Sequence, residues 1–313
     1  MAAPNDPVYP IDIVSIGECM VELARTDSGQ FQLAFGGDTF NTAVYAARLG
    51  ARVSYVTALG DDPYCAGIRE TAESEGIDTS HIATVPGRMP GLYLIETQQG
   101  ERSFWYWRDH SPARQLFELD SAGATLKALA SARLIYFSGV TLSLYSPAGL
   151  DRFALALEGA RARGARIVMD SNYRPRGWGG DVKRAQTVFQ RFWALADIAL
   201  PTFDDEQMLW GDGCARDTLE RISKLGPREI VAKLGADGAL VRGDDVDGHV
   251  ACPAQIAAID TTAAGDSFNA AYVCTRLKGG CVREAVMAAH RLAGIVVQHR
   301  GAIVPRAAMA GVS

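Results

Sequence analysis

A chain of 313 residues, 48% of them hydrophobic and 21% charged, is long enough to close one large core and too apolar to be a disordered segment. Its net charge of −5, with no lysine or arginine cluster, argues against a nucleic-acid binder. No stretch approaches the ~20 apolar residues that span a bilayer, and the first residues carry no basic-then-apolar leader, so neither a membrane partner nor export is expected and the cytoplasm is the expected compartment. The six cysteines form no CxxC pair and no metal-ligand spacing with histidine, and they read as buried, reduced thiols.

In chain order, "DIVSIG" at 12–17 predicts the first buried strand and "DTFNTAVYAARLG" at 38–50 the first helix, ending at Gly50. "RVSYVTALG" predicts a strand, "YCAGIRETAESEG" a helix, 133–139 a strand, "PAGLDRFALALEGARARG" a helix and 166–172 a strand; "DIALPT" and "EIVAKLG" continue the series. Strands separated by helices of this length predict a mainly parallel sheet covered on both faces, a three-layer α/β fold in a single domain. Two segments break the pattern. Residues 18–36 alternate, and 91–108 read as a β-hairpin turning at "QQGE". Together they predict a small antiparallel sheet that could close over a substrate as a lid, although a hairpin lying over the core fits the same pattern.

Several short runs carry candidate chemistry. In "SFWYWRDH" the period of two puts Tyr106 and Arg108 on one strand face. Arg174, in "MDSNYRPRGW", follows a strand end, where parallel sheets place their ligand loops. Two arginines reaching one pocket favour a carboxylate or phosphate, though either alone is as readily a structural ion-pair residue. In "FGGDTFN", Gly36 and Gly37 suit close approach of a ligand to the backbone, and Asn41, one turn on, can hydrogen-bond hydroxyls. Neither a P-loop nor a dinucleotide-binding glycine motif is present. In "DTTAAGDSFNAAYV", from Asp260 to Val273, the small residues Ala263, Ala264 and Gly265 leave backbone amides open to an anion. Asp266, taken alone, reads as a first-turn residue opposing the helix dipole; beside a phosphate it would have to take a proton to justify its charge.

With "GGDTFN" near the start and "DTTAAGD" near the end, the chain resembles the ribokinase/PfkB family of sugar kinases over nearly its whole length. The segments "IGECMVEL", "FGGDTFNTAVYAARLG", "YVTALG", "GLYLIET", "ERSFWYWR", "NYRPRGW" and "DTTAAGDSF" are most similar to those members that phosphorylate the sugar acid 2-keto-3-deoxygluconate. The resemblance implies a ribokinase-like fold and ATP-dependent phosphorylation of the 6-hydroxyl of that acid. It makes Asp266 the general base, without need of a strongly raised pKa, and makes the amides of Ala263, Ala264, Gly265 and Asp266 the anion hole. It assigns Gly36, Gly37, Asn41, Tyr93, Tyr106, Arg108 and Arg174 to the sugar. It assigns Lys233, Gly235, Ala236 and Gly238, with Ala289 or its neighbours beside the adenine, to the nucleotide. ATP and Mg²⁺ are the implied cofactors, a monovalent cation is left open, and lid strands pairing between protomers imply a homo-oligomer. Three positions depart from the family pattern. Ala263 replaces a common glycine, with no loss of activity expected. Phe203 replaces the asparagine of an Asn-x-x-Glu motif linked to Mg²⁺, leaving Glu206 as an indirect metal residue. Glu22 stands near where an aspartate often holds sugar hydroxyls and is left out of the site. A kinase of a neutral sugar such as fructose or ribose, and a non-catalytic sugar-binding protein on the same fold, are the competing expectations.

Overall fold

A computed structural model describes residues 9–26, 28–98, 101–119 and 122–311. Strands and helices alternate as the pattern requires. They are β1 (Ile11–Ile16), β2 (Met20–Arg25), β3 (Phe31–Gly36), α1 (Asp38–Arg48), β4 (Val53–Val56), β5 (Ala58–Leu59), α2 (Pro63–Ser74), β6 (Ala83–Thr84), β7 (Leu92–Gln98), β8 (Glu101–Trp107), α3 (Ala122–Ala130), β9 (Ala132–Ser138), α4 (Gly139–Leu144) and α5 (Pro147–Arg161). Then come β10 (Arg166–Asp170), α6 (Val182–Trp193), β11 (Ile198–Leu200), α7 (Phe203–Trp210), α8 (Ala215–Ser223), β12 (Glu229–Lys233), β13 (Ala239–Arg242), β14 (Asp247–Val250), α9 (Ala264–Leu277) and α10 (Val282–Val296).

The main sheet has eight strands in the order β14-β13-β12-β11-β10-β9-β1-β4. Pairing is parallel from β4 through β12, and β13 and β14 add an antiparallel edge. Side chains on these strands point alternately to opposite faces, and both faces are covered, so the strands read as continuous apolar runs. Ile13, Leu134, Tyr136, Val168 and Val231 join the core packed against α1, α9 and α10. Their neighbours Val14, Ile135, Phe137, Ile167, Met169 and Ile230 join the core packed against α5 and α6. In the second core Phe153 stacks on Phe117 and meets Phe137 and Phe192 edge-on or tilted, at centroid distances of 4.6–5.5 Å; truncating such a ring costs about 3–5 kcal/mol. The stretch "RVSYVTALG" is split at Thr57, because β5 leaves the main sheet to pair with β6.

The second sheet has the order β3-β2-β7-β8. Its two hairpins, β2–β3 and β7–β8, are antiparallel and are joined by parallel pairing of β2 with β7. Gln99 and Gly100, the middle of the expected "QQGE" turn, lie outside the described residues. Register puts Glu22, Tyr93 and Tyr106 in one row across the inner face, where Met20, Tyr93 and Ile95 form a small core. The opposite face carries Leu33 and Trp105 in the row of Leu23 and Leu94, with Phe31 and Trp107 beside it, all four named side chains at the ends being about half exposed. No helix of the described residues is long and apolar enough to cross a membrane. All six cysteines are free; Cys19, Cys65 and Cys274 are buried as expected, but Cys214 is exposed and Cys252 and Cys281 are partly exposed, Cys214 and Cys281 being helix N-caps and Cys252 lying in the loop after β14.

Candidate active site

The chemistry is organised at the start of α9. Asp260 pins the preceding turn by accepting from the amides of Thr262 (2.9 Å) and Gly301 (2.6 Å). Ala263 is then the N-cap residue, in the left-handed region at φ 59°, ψ 15°, a conformation that costs a non-glycine residue about 1–2 kcal/mol. Its methyl side chain cannot cap, and no side chain caps the helix. Of the four amides expected to bind an anion, that of Ala264 already donates to the Thr261 carbonyl (3.2 Å); the first-turn amides beyond it carry the positive end of the helix dipole.

Asp266 is therefore no cap. Its side chain turns to α1, where Asn41 Nδ2 donates to Oδ2 at 2.8 Å. Asn41, expected on the sugar, thus holds Asp266 with its amide nitrogen, while its buried Oδ1 has no partner among the described residues. Burial, reinforced by the charges of Asp38 and Asp170, pushes the Asp266 carboxyl well above the usual carboxylate range, against the Asn41 hydrogen bond and the Lys233 charge. The role asked of Asp266 needs no such rise, and its cause is local: a residue only 9% exposed among like charges loses its hydration without full replacement. Behind the helix start, Lys233 at the end of β12 is also buried. Its Nζ donates to Asp170 Oδ1 (2.9 Å) and Asn269 Oδ1 (3.2 Å), and Asn269 Nδ2 bonds Asp170 Oδ2 (2.8 Å). A Cβ on Gly265 would sit 3.8 Å from that ammonium, so Lys233 lies beside the start of α9.

A second group of polar side chains meets between α1 and the second sheet. A Cβ on Gly36 would meet the Tyr93 hydroxyl at 2.7 Å, with Glu22 Oε2 and Asn41 Oδ1 at 3.5 and 3.7 Å; three polar groups thus converge where the side chain is missing. Tyr93 donates a short hydrogen bond to Glu22, which is buried and belongs to this group despite its omission from the expected site. At Gly37 a Cβ would collide with the Glu18 carbonyl, so close backbone packing alone requires a glycine there. Asp38, next along, accepts from Asn172 Nδ2 (2.7 Å).

At the far end of this group Arg108 forms an ion pair with the buried Glu18, and Arg174 Nη1 with Asp205 Oδ1 at 2.9 Å. Asp205 also accepts from the Tyr173 amide (3.3 Å) and Ser171 (3.4 Å). Arg176 lies over the Tyr106 ring, 5.4 Å from its centroid. The charges of Arg108, Arg174 and Arg176 all act on the Tyr106 hydroxyl, but burial outweighs them and raises its pKa.

On the other side of Gly265 a cavity of about 1030 Å³ is lined by Lys233, Gly235, Ala236, Gly238, Thr261 and Ala264, with Ala288 and His290 on its wall. Its size and its small-residue floor suit a nucleotide.

A model of the pfkB family carbohydrate kinases matches residues 10–308. The chain belongs to that family. It is 41% identical over 306 residues to the 2-dehydro-3-deoxygluconokinase of Escherichia coli K12, covering 95% of this chain and 98% of that one. The enzyme of the same name from Haemophilus influenzae is 36% identical, over 95% and 96% of the two chains. Among solved structures, aminoimidazole riboside kinase from Salmonella enterica, complexed with aminoimidazole riboside and an ATP analogue, superposes with a TM-score of 0.80 at 22% identity, covering 95% and 96%.

Two nucleotide- and metal-side expectations fare differently within this family architecture. Ala289 is fully buried in the α10 stripe of Ala285, Ala289, Leu292 and Val296 that packs on the core; Ala288, turned about 100° away, meets the cavity instead. Glu206 is fully buried in α7 and accepts from Arg221 Nη2 at 2.7 Å, so its visible partner is a guanidinium. Burial nonetheless raises its pKa to about 7. Among the described residues no three Asp, Glu, His or Cys side chains form a cage for a metal.

Proposed function

We propose that the protein is a 2-dehydro-3-deoxygluconate kinase that transfers the γ-phosphoryl group of ATP to the 6-hydroxyl of the sugar acid, giving 2-keto-3-deoxy-6-phosphogluconate. The observation that carries this reading is one cleft with a buried carboxylate at an uncapped helix start at one end and three arginines at the other. The similarity to enzymes of that name over nearly the full chain supports it. A neutral ketose or pentose has no group that requires three guanidinium ions around Tyr106.

Phosphoryl transfer depends on positioning and on neutralising charge more than on covalent help from the protein. The cleft residues Glu22, Tyr93 and Asn41 are suited to fixing the hydroxyls of the acceptor. Asp266 accepts the proton of the attacking hydroxyl as the new oxygen–phosphorus bond forms; its raised pKa makes it the stronger base and requires that it be ionised first. The start of α9 and Lys233 oppose the negative charge spread over the transferring group. Mg²⁺ fits as an ion carried by the nucleotide phosphates and one or two carboxylates, Asp170 and Asp266 being candidates, and it would supply further charge neutralisation. Closure of the second sheet would keep water from competing with the sugar.

A coupled ATP-consumption assay on 2-keto-3-deoxygluconate, fructose and ribose, with Mg²⁺ and with or without K⁺, tests the reading. Efficient turnover of the sugar acid is expected; a higher kcat/KM for fructose or ribose would overturn it. The apolar outer face of the second sheet, with Phe31, Leu33, Trp105 and Trp107 exposed, supports a homo-oligomer closed through that face. Light scattering should give more than one protomer, and Trp105→Ser with Trp107→Ser should shift it toward the monomer. Six free thiols suit a reducing compartment, and we assign the protein to the cytoplasm.

A further inference from the structure

A second cavity, of about 560 Å³, is lined by none of the residues assigned to the acceptor or the nucleotide. Three arginines line it, each from a different element. Arg88 stands in the loop before β7, its carbonyl packed where a side chain on Gly60 would be. Arg114 stands in the short 3₁₀ helix Pro112–Glu118. Arg184, on α6, lies over the Trp178 ring, 5.6 Å from its centroid, and donates through Nη2 to the Tyr145 carbonyl (3.2 Å). All three are half-buried, and none has an ion-pair partner among the described residues.

The other acids and bases on the wall are His110, Asp109 and Glu118, of which Glu118 accepts from the Ser146 hydroxyl (2.5 Å). Ser111 and Tyr145 also line the cavity, and their hydroxyls are buried with no hydrogen-bond partner among the described residues. A buried hydroxyl left unpaired costs about 1–3 kcal/mol, and a ligand that bonds it recovers that cost. The Glu18 charge acts on the Tyr145 hydroxyl from behind the wall, and Arg108, paired with Glu18, offsets it.

We infer that this cavity binds the phosphate monoester of a small polyhydroxy compound, a sugar phosphate. Such a monoester carries about −1.5 to −2 charge at neutral pH and three acceptor oxygens, a match for three arginines that a carboxylate, with one charge and two oxygens, does not offer. Asp109 and Glu118 repel a second anionic group and accept from hydroxyls instead, so the rest of the ligand is a neutral polyol. The volume lies in the range of pockets that enclose one small molecule. None of these residues is assigned to the acceptor, so the site stands whatever sugar the kinase phosphorylates.

The test is calorimetric titration of wild type, Arg88→Gln, Arg114→Gln and Arg114→Lys with glucose 6-phosphate, inorganic phosphate and glucose, with and without a saturating non-hydrolysable ATP analogue. Glucose 6-phosphate should bind wild type saturably in both conditions, inorganic phosphate more weakly and glucose not at all. Each glutamine variant should weaken glucose 6-phosphate ~10- to 100-fold, the worth of a charge-assisted hydrogen bond, with kcat and KM of the kinase reaction within about twofold of wild type. Arg114→Lys should recover part of the loss. No saturable binding, binding unchanged in either glutamine variant, or binding displaced by the ATP analogue would overturn the inference. Inorganic phosphate binding as tightly as glucose 6-phosphate would overturn its polyol part.

Discussion

At the phosphoryl end of the cleft Asp266, Lys233, Asp170 and Asn269 are all buried and tied to one another or to α1, whereas at the acid end the Arg174 side chain is 60% exposed and Arg176 rests on an aromatic ring. The first region stores charge in a poorly hydrated place and holds it there by geometry. The second keeps the charges of Arg174 and Arg176 near water, where those two side chains can be exchanged with less effect on the fold, although the Arg108–Glu18 pair beside them is buried. Chemistry and selectivity are thus carried by parts of the molecule with different tolerance to change.

The sharpest way to break this contrast is Asp266→Asn. Turnover should fall by ~10²–10⁴-fold, the usual worth of a general base. Stability at neutral pH should hold or rise. A carboxyl whose folded pKa is raised stabilises the fold only while protonated, and that contribution is lost as pH climbs through the folded pKa; asparagine stays neutral throughout and its oxygen can still accept from Asn41. Melting curves against pH decide it: a variant that loses stability in step with activity would remove the stored-charge account. Lys233→Met comes next. Leaving Asp170 buried without its cation should cost about 3–5 kcal/mol in denaturant unfolding. Because Lys233 lowers the Asp266 pKa, the acid limb of kcat/KM should also move to higher pH. A limb that stays put would separate the lysine from the base. The smallest effect belongs to the acid end. Asp205→Asn releases Arg174 but removes a carboxyl whose pKa burial has raised, so stability should change by less than about 1 kcal/mol while KM for the sugar acid shifts a few-fold. A large loss of stability there would erase the distinction between the two ends.

Much of this architecture was legible in the residue pattern. Continuous apolar strands alternating with helices required a covered parallel sheet, and the period of two in 91–108 put Tyr106 and Arg108 on one face. What stayed hidden was pairing. Nothing along the chain marks Glu18 as the partner of Arg108, Asp205 as that of Arg174, or Asp170 and Asn269 as those of Lys233, because a period fixes which way a side chain points and not what stands opposite. Arg176 was passed over for the same reason: only the fold brings the turn after β10 over the Tyr106 ring. Glycines were half legible. Gly36 and Gly37 look alike in sequence, yet one opens the cleft and the other admits a carbonyl. Of Ala289 and its neighbours, only the fold tells that Ala288 meets the cavity while Ala289 faces the core.

The hydrogen bond between Asn41 and Asp266 joins residues 225 positions apart. During synthesis the ribosome releases α1, the second sheet and the whole central sheet before Asp266 exists. Because α9 and α10 also complete the core over one face of that sheet, a chain stopped before Ala264 lacks Asp266 and the cover of α1 together.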